Sequence, residues 1–422
     1  MIRSAVLVAA AVLAADPLLG ALTPRERQLN IDSFEYVWKT IRDKHWQIKP
    51  AGLDWQAVHD EFRPAIEKAD SMDAARAVMR DMLGRLHQTH FGIVPGDLYS
   101  DVEGSRGGEN GTGIDVRIVD SQVLVTSIDP GSPAEAEGVR PGWQLVKIEG
   151  TDLAAVVANL NASYANSTLR ELLIRRTILS RLGTAGTLEF LDGGGNRINK
   201  TLEKGHPKGI FVQFGYLNPG YVWIESTRAG NGNIGLVRFN MFLDAEHVMK
   251  QFGGAVESCL KCDGFIIDLR GNPGGIGLMA MGMAGWFIDK PDQRLGTMYL
   301  RDSTLQFVVN PRAATFGGPL AILVDGNSAS TSEIMAEGLK DLGRARIFGT
   351  RTAAAALPSM FEKLPNGDGF QYAIANYISE GGQPLEGRGV TPDVETPLSR
   401  QALLAGKDPA LDAAVDWIEH RK

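Results

Sequence analysis

The 422-residue sequence predicts an α/β fold, and three observations carry that prediction. From about Gly209 onward, apolar runs of strand length alternate with amphipathic segments of helical period, the pattern of a layered α/β core. Within it, Leu320–Glu333 (LAILVDGNSASTSE) reads as a buried strand that ends in Asp325-Gly326-Asn327, passes three serines and opens a helix. Ahead of this core, residues 104–204 change to short alternating strands broken by turns.

Taken in order, the N-terminus has the pattern of an export signal. One positive charge in Met1–Ser4 precedes the unbroken apolar run Ala5–Ala15, and small residues follow, so residues 1–21 are expected to be cleaved near Ala15 or Ala21. A buried N-terminal helix is the alternative. The run is too short to span a bilayer and no second run is longer, which implies an exported protein, periplasmic or extracellular, with no integral membrane span. Residues 25–100 are expected to form a helical domain. Ser71 is placed to cap a helix in which Met72, Ala75, Val78, Met79, Met82, Leu83 and Leu86 recur at i, i+3, i+4 spacing. It ends in His87-Gln88-Thr89-His90, and a strand begins at Phe91-Gly92.

The glycine-rich linker Gly104–Gly113 marks the next boundary. In residues 104–204, strands are expected at Ile114–Val119, Val123–Ile128, Trp143–Ile148 and Thr187–Leu191, a short helix from Gly131–Ala134, and an amphipathic helix at Leu169–Leu182. In residues 209–400, strands are expected at Asn233–Phe239, Gly264–Leu269, Leu320–Val324 and Arg346–Gly349. Helices are expected at Ala245–Cys259, from the Arg270–Gly275 turn through Phe287, and at Ser330–Leu342. Residues 401–422 close the chain as a C-terminal helix.

A hydrophobic content of 44% and a charged content of 22% are those of a globular protein. A formal charge of −7 excludes nucleic acid as the main partner, because phosphate binding needs a basic surface. The two cysteines, Cys259 and Cys262 in C-L-K-C, suit a tight disulfide in an oxidising compartment. A thioredoxin-type redox pair is the sharper alternative and a structural pair the plainer one. His87 and His90 give H-x-x-H without a third ligand, so no metal site is expected.

The run Ser132–Gly150 (SPAEAEGVRPGWQLVKIEG) resembles the core of a PDZ domain of the bacterial protease type. Gly111, Thr112, Gly113 and Ile114 fall where such domains hold a peptide's terminal carboxylate, in a nest of backbone N–H groups beside a strand edge. Trp143 stands where an acidic residue is common, and a glycine-rich hairpin that binds nothing is the plain alternative. Three blocks, DLRGNPGG (Asp268–Gly275), the serine cluster and PLEGRGVTPD (Pro384–Asp393), together resemble the carboxyl-terminal processing and tricorn-like serine peptidases. The resemblance runs from about His87 to Pro397. It implies a crotonase-like α/β catalytic core, a polypeptide substrate, no metal or organic cofactor, and Ser330 as nucleophile.

Ser330 and Glu333 also have the spacing of a helix capping box, so the partners decide between the two readings. In the processing branch the base is a lysine 25 residues past the serine, and that position is Ala355, inside Thr352–Ala356. Lys340 and Lys363 are nearby in sequence but stand elsewhere. A serine hydroxyl needs an adjacent base, which alanine cannot be. The tricorn-like branch uses a histidine that follows a small hydroxyl residue, and Thr89-His90 matches it. The resemblance then implies that Glu386 acts through the Thr89 hydroxyl to orient His90. Threonine in place of the family's serine keeps the hydroxyl and restricts χ1. For the oxyanion hole, the resemblance implies the N–H of Thr331 and that of Gly274 or Gly275. Asp268 and Arg270 read as structural, and Asp341 carries no chemical role. The expected function is an exported serine endopeptidase working through an acyl-enzyme. The alternative is a non-hydrolytic protein that binds peptide or an apolar ligand on the same scaffold, with Ala353–Ala356 lining the pocket.

Overall fold

The computed structural model describes residues 22–96, 111–163, 167–183, 186–215 and 220–421. The expected signal peptide and residues 104–110 of the glycine-rich linker lie outside the described residues. Among the described residues no helix is long and apolar enough to cross a membrane.

The core is a six-stranded sheet in the order Ile224–Ala229, Ile234–Phe239, Gly264–Asp268, Leu320–Val324, Ala345–Gly349, Val394–Glu395. The first pair is antiparallel and the rest run parallel. Every residue of Gly264–Asp268 and Leu320–Val324 is buried. Parallel strands covered on both faces read as unbroken apolar runs, which is how the sequence shows them. One face carries the helices Ala245–Glu257, Gly277–Ala284 and Thr331–Asp341, and the other carries Pro409–Glu419. Asp268 pairs with Leu323, so the turns leaving these two neighbouring strands lie side by side at their carboxyl ends. In open α/β sheets that edge is where ligands bind.

Three capped helices open the described chain: Pro24–Lys44, Trp55–Lys68 and Met72–Gly84. Thr23, Asp54 and, as expected, Ser71 cap them. They do not form a separate core. Met79, Met82 and Leu83 pack with Phe370, Tyr372 and Leu364, contributed by a three-stranded sheet of Gly92–Val94, Gly369–Ala373 and Ser359–Lys363. Arg76 seals the contact with two-pronged hydrogen bonds to the buried Asp368, at 2.8 and 3.1 Å. The chain from Leu86 to Phe91 is thereby fixed against a hairpin from the far end of the sequence.

The inserted unit pairs Ile114–Val119, Gln122–Ile128, Gln144–Ile148, Thr187–Leu191 and Arg197–Thr201 in that spatial order, around helices Leu153–Ser163 and Arg170–Leu182. Two features differ from expectation. The C-terminal segment is two helices, Arg400–Leu404 and Pro409–Glu419, because Asp408 caps a new start with proline in its first turn. A second three-stranded sheet, Thr304–Val309, Gln293–Tyr299 and Asn376–Ser379, lies outside the parallel core. Cys259 and Cys262 are joined in a disulfide.

Candidate functional site

Ser330 sits between the strand Leu320–Val324 and the helix Thr331–Asp341 with φ 56° and ψ −117°. An ordinary capping serine holds an extended, negative-φ backbone, and Thr23, Ser71 and Ser132 in this chain do so. A positive φ in a non-glycine residue stores about 1–3 kcal/mol and persists only where the surroundings impose it. The imposition is visible. The Ser330 N–H donates to the Ala355 carbonyl at 2.8 Å and to Glu333 Oε2 at 3.0 Å. Glu333 is fully buried and also accepts from the Thr352 hydroxyl at 2.5 Å and from the N–H groups of Ala354 and Ala355, both at 2.9 Å. Burial pushes its carboxyl up to about 7. The capping-box spacing is therefore real, and the glutamate uses it to strap residues 352–355 against the serine.

The other two serines of the cluster are engaged in holding main chain. The Ser328 hydroxyl donates to the Leu269 carbonyl at 2.8 Å, and the Ser332 hydroxyl to the Asn272 carbonyl at 2.9 Å. Both bonds stitch the serine turn to the Leu269–Gly275 turn of the neighbouring strand, and Thr331 Oγ1 adds a third to the Gly275 carbonyl at 2.8 Å. Gly274 has φ +97°, and a Cβ there would stand 2.8 Å from Ser330 Cβ and 2.9 Å from the Thr331 nitrogen. Only glycine admits this approach. The two expected glycines are not equivalent: the Gly274 N–H is taken by Asn272 Oδ1 at 2.9 Å.

Thr89, His90 and Glu386, separated by almost 300 residues in sequence, are brought together. Thr89 donates its N–H to Glu386 Oε1 at 2.8 Å and its hydroxyl to Glu386 Oε2 at 2.9 Å. Thr89 Oγ1 lies 2.7 Å from His90 Nδ1. With its only proton on the carboxylate, the hydroxyl accepts from His90, which assigns the proton to Nδ1 and leaves the Nε2 lone pair free to act as a base. Burial lowers the His90 pKa to about 4, so the ring is neutral near pH 7. Burial also raises Glu386, against the pull of its three donors. The third donor is the Ala356 N–H at 3.2 Å. Ala355 holds Ser330 and Ala356 holds Glu386, so adjacent residues of one strap tie the serine to the histidine group. Ala355 itself is fully buried in the place expected of a lysine base, and no side chain there can take a proton.

The Ala353–Ala356 stretch is packed by Ala329, Leu169 and Leu172 and engaged through its backbone at every residue. In the inserted unit, Gly111, Thr112 and Gly113 are buried, and their carbonyls accept from Gly205, Ala134 and Asp129 at 3.1, 3.1 and 2.8 Å. On the strand that starts at Ile114, the Val116 carbonyl accepts from Arg175 Nε at 3.1 Å, so a peptide adding there would exchange its amide for that guanidinium. Asp268 and Arg270 are structural, as expected: Arg270 bonds both Asp268 and Asp408 at 2.7–2.9 Å. Asp341 accepts the Gly381 N–H at 2.8 Å. Among the described residues no three His, Cys, Asp or Glu side chains gather as metal ligands. Sequence reading gave no role to Asp325, which accepts the Gly271 N–H at 2.9 Å and pairs with Arg117 at 2.8 Å. A charged residue that ends a buried strand was the available signal.

Residues 233–396 match peptidase family S41, and residues 32–84 match the tricorn protease C1 domain. The carboxy-terminal processing protease CtpA of Bacillus subtilis (strain 168) is 27% identical over 305 residues, which is 72% of this chain and 58% of that protein. The carboxyl-terminal-processing protease of Synechocystis is 26% identical over 404 residues, 93% of this chain and 87% of that protein. The photosystem II D1 C-terminal processing protease shares the mixed α/β fold at a TM-score of 0.57 and 20% identity, over 94% of this chain and 97% of that one. The family match and the relatives together support a serine peptidase.

Proposed function

We propose that this protein is an exported serine endopeptidase that cleaves polypeptides with Ser330 as nucleophile and His90 as general base. The observation that carries this reading is the chain Glu386–Thr89–His90, bonded at 2.9 and 2.7 Å and strapped through Ala355 and Ala356 to a strained Ser330. His90 Nε2 takes the serine proton as the hydroxyl attacks the peptide carbonyl, then returns it to the leaving amine, and water hydrolyses the acyl-enzyme. Glu386 and Thr89 hold the ring in the Nδ1–H tautomer and stabilise its cationic form in the transition state. The oxyanion is received by the N–H of Thr331 and that of Gly275, since Asn272 already engages Gly274. The core is crotonase-like and the inserted unit PDZ-like, its Gly111–Ile114 loop facing the terminal carboxylate of the substrate chain.

Cleavage of a denatured polypeptide, followed by gel and mass spectrometry, tests the reading. Wild-type protein is expected to produce defined internal cuts, and Ser330→Ala to produce none. A wild-type protein that binds the polypeptide and leaves it intact would replace this reading with the non-hydrolytic one.

A further inference from the structure

The inserted unit reaches the catalytic turns through a charged cluster that the peptidase reaction described above does not use. Along Ile114–Val119 alternate residues face opposite ways. Ile114 and Val116 enter the unit's own core, while Asp115 and Arg117 face the α/β core. Arg117 is 6% exposed, donates to Asp325 Oδ2 at 2.8 Å and to Asp115 Oδ2 at 2.9 Å, and lies against Gly271, where any Cβ would collide with its guanidinium. Asp325 Oδ1 in turn accepts the Gly271 N–H and the Asn327 N–H, both at 2.9 Å. One carboxylate therefore joins the turn that carries Gly274 and Gly275 to the turn that carries Ser330 and Thr331. One guanidinium from another part of the chain neutralises it. Glu171, also from the inserted unit, makes a second contact with the serine turn, accepting from Asn327 Nδ2 at 2.7 Å.

We infer that Arg117 is a positioning residue for the reaction: through Asp325 it sets the spacing of the two turns that supply the oxyanion donors. The inference rests on the proposed serine peptidase reading. A shift of the Gly271–Gly275 turn relative to the serine turn displaces one oxyanion donor while leaving the serine and its base in place, so the transition state suffers and ground-state binding of substrate does not. The buried surroundings make the link stiff. Asp115 and Asp325 are both held below the usual carboxylate range despite desolvation, because Arg117 and Arg175 lie beside them.

The test measures kcat, KM, thermal midpoint and fluorophosphonate labelling for Arg117→Met and Arg117→Lys in the full-length protein. Arg117→Met is expected to lower kcat about 10- to 100-fold with KM within about twofold, the range seen when an oxyanion donor is weakened. Arg117→Lys is expected to recover part of the loss, because lysine keeps the charge without the fork. If Arg117→Met does not fold, the lysine variant decides: a reduced kcat at unchanged KM supports the inference. Wild-type kcat in either folded variant, or a loss that follows thermal stability with KM, overturns it. Failure of the underlying reading is distinct, because then wild-type protein itself neither labels nor cleaves.

Discussion

At residue scale, the proposal depends on how one hydroxyl proton is placed. Thr89 has a single proton to donate, and Glu386 receives it. Replacing Thr89 by valine keeps the β-branched shape, removes the relay and lets the His90 ring choose the other tautomer. A loss of roughly 10²-fold or more in kcat is expected, while Thr89→Ser, which keeps the hydroxyl, stays near wild type. Steady-state kinetics on a peptide substrate checks both. The pH profile is a second consequence. His90 must be neutral to accept the proton, and burial lowers its pKa from the usual 6.5 to about 4. Lowering means that the neutral form survives on acidification, so kcat/KM should hold as pH falls through 6.5 and drop only below it. An acid limb at or above 6.5 would contradict the assigned environment. The sequence showed Thr89, His90 and Glu386 only through resemblance to a family. It left Gly274 and Gly275 both open, because the bond from the Gly274 N–H to Asn272 Oδ1 is a contact made only in the folded turn.

At the scale of elements, the buried parallel strands were legible because burial on both faces leaves an unbroken apolar run in the sequence. Leu320–Val324 begins and ends where expected. Ser71 was legible for a local reason, since its hydroxyl meets the Ala74 N–H three residues on. The strands Ser359–Lys363 and Gly369–Ala373 were not legible. They pair with each other as a hairpin, and Gly369–Ala373 alone pairs on with Gly92–Val94, a partner some 280 residues away that nothing local announces. That pairing matters because it holds His90 in place. Arg76 and the 1%-exposed Asp368 fasten it, and Arg76→Met would leave a carboxylate buried without its cation. Breaking such a pair costs about 3–5 kcal/mol. The urea midpoint should fall accordingly, and any activity that remains in the folded fraction should show an unchanged pH profile.

At the scale of the whole molecule, the parallel core provides two adjacent turns and the N-terminal helices with their hairpin provide the histidine. The inserted unit braces the turns from outside. Three regions of sequence thus meet at one strap, residues 352–356, which has no chemical side chain of its own beyond Thr352. The strap stands where a lysine would make a simpler dyad, its alanines offer the serine no base, and in the proposed reading that base is His90, which follows the N-terminal helices. The most direct measurement is the second-order rate at which a fluorophosphonate labels Ser330 in wild type, His90→Ala, Lys340→Met and Lys363→Met. Loss of labelling by about 10³-fold or more in His90→Ala alone is the predicted result. Labelling of His90→Ala at the wild-type rate, or its loss in either lysine variant, would show that another group activates the serine.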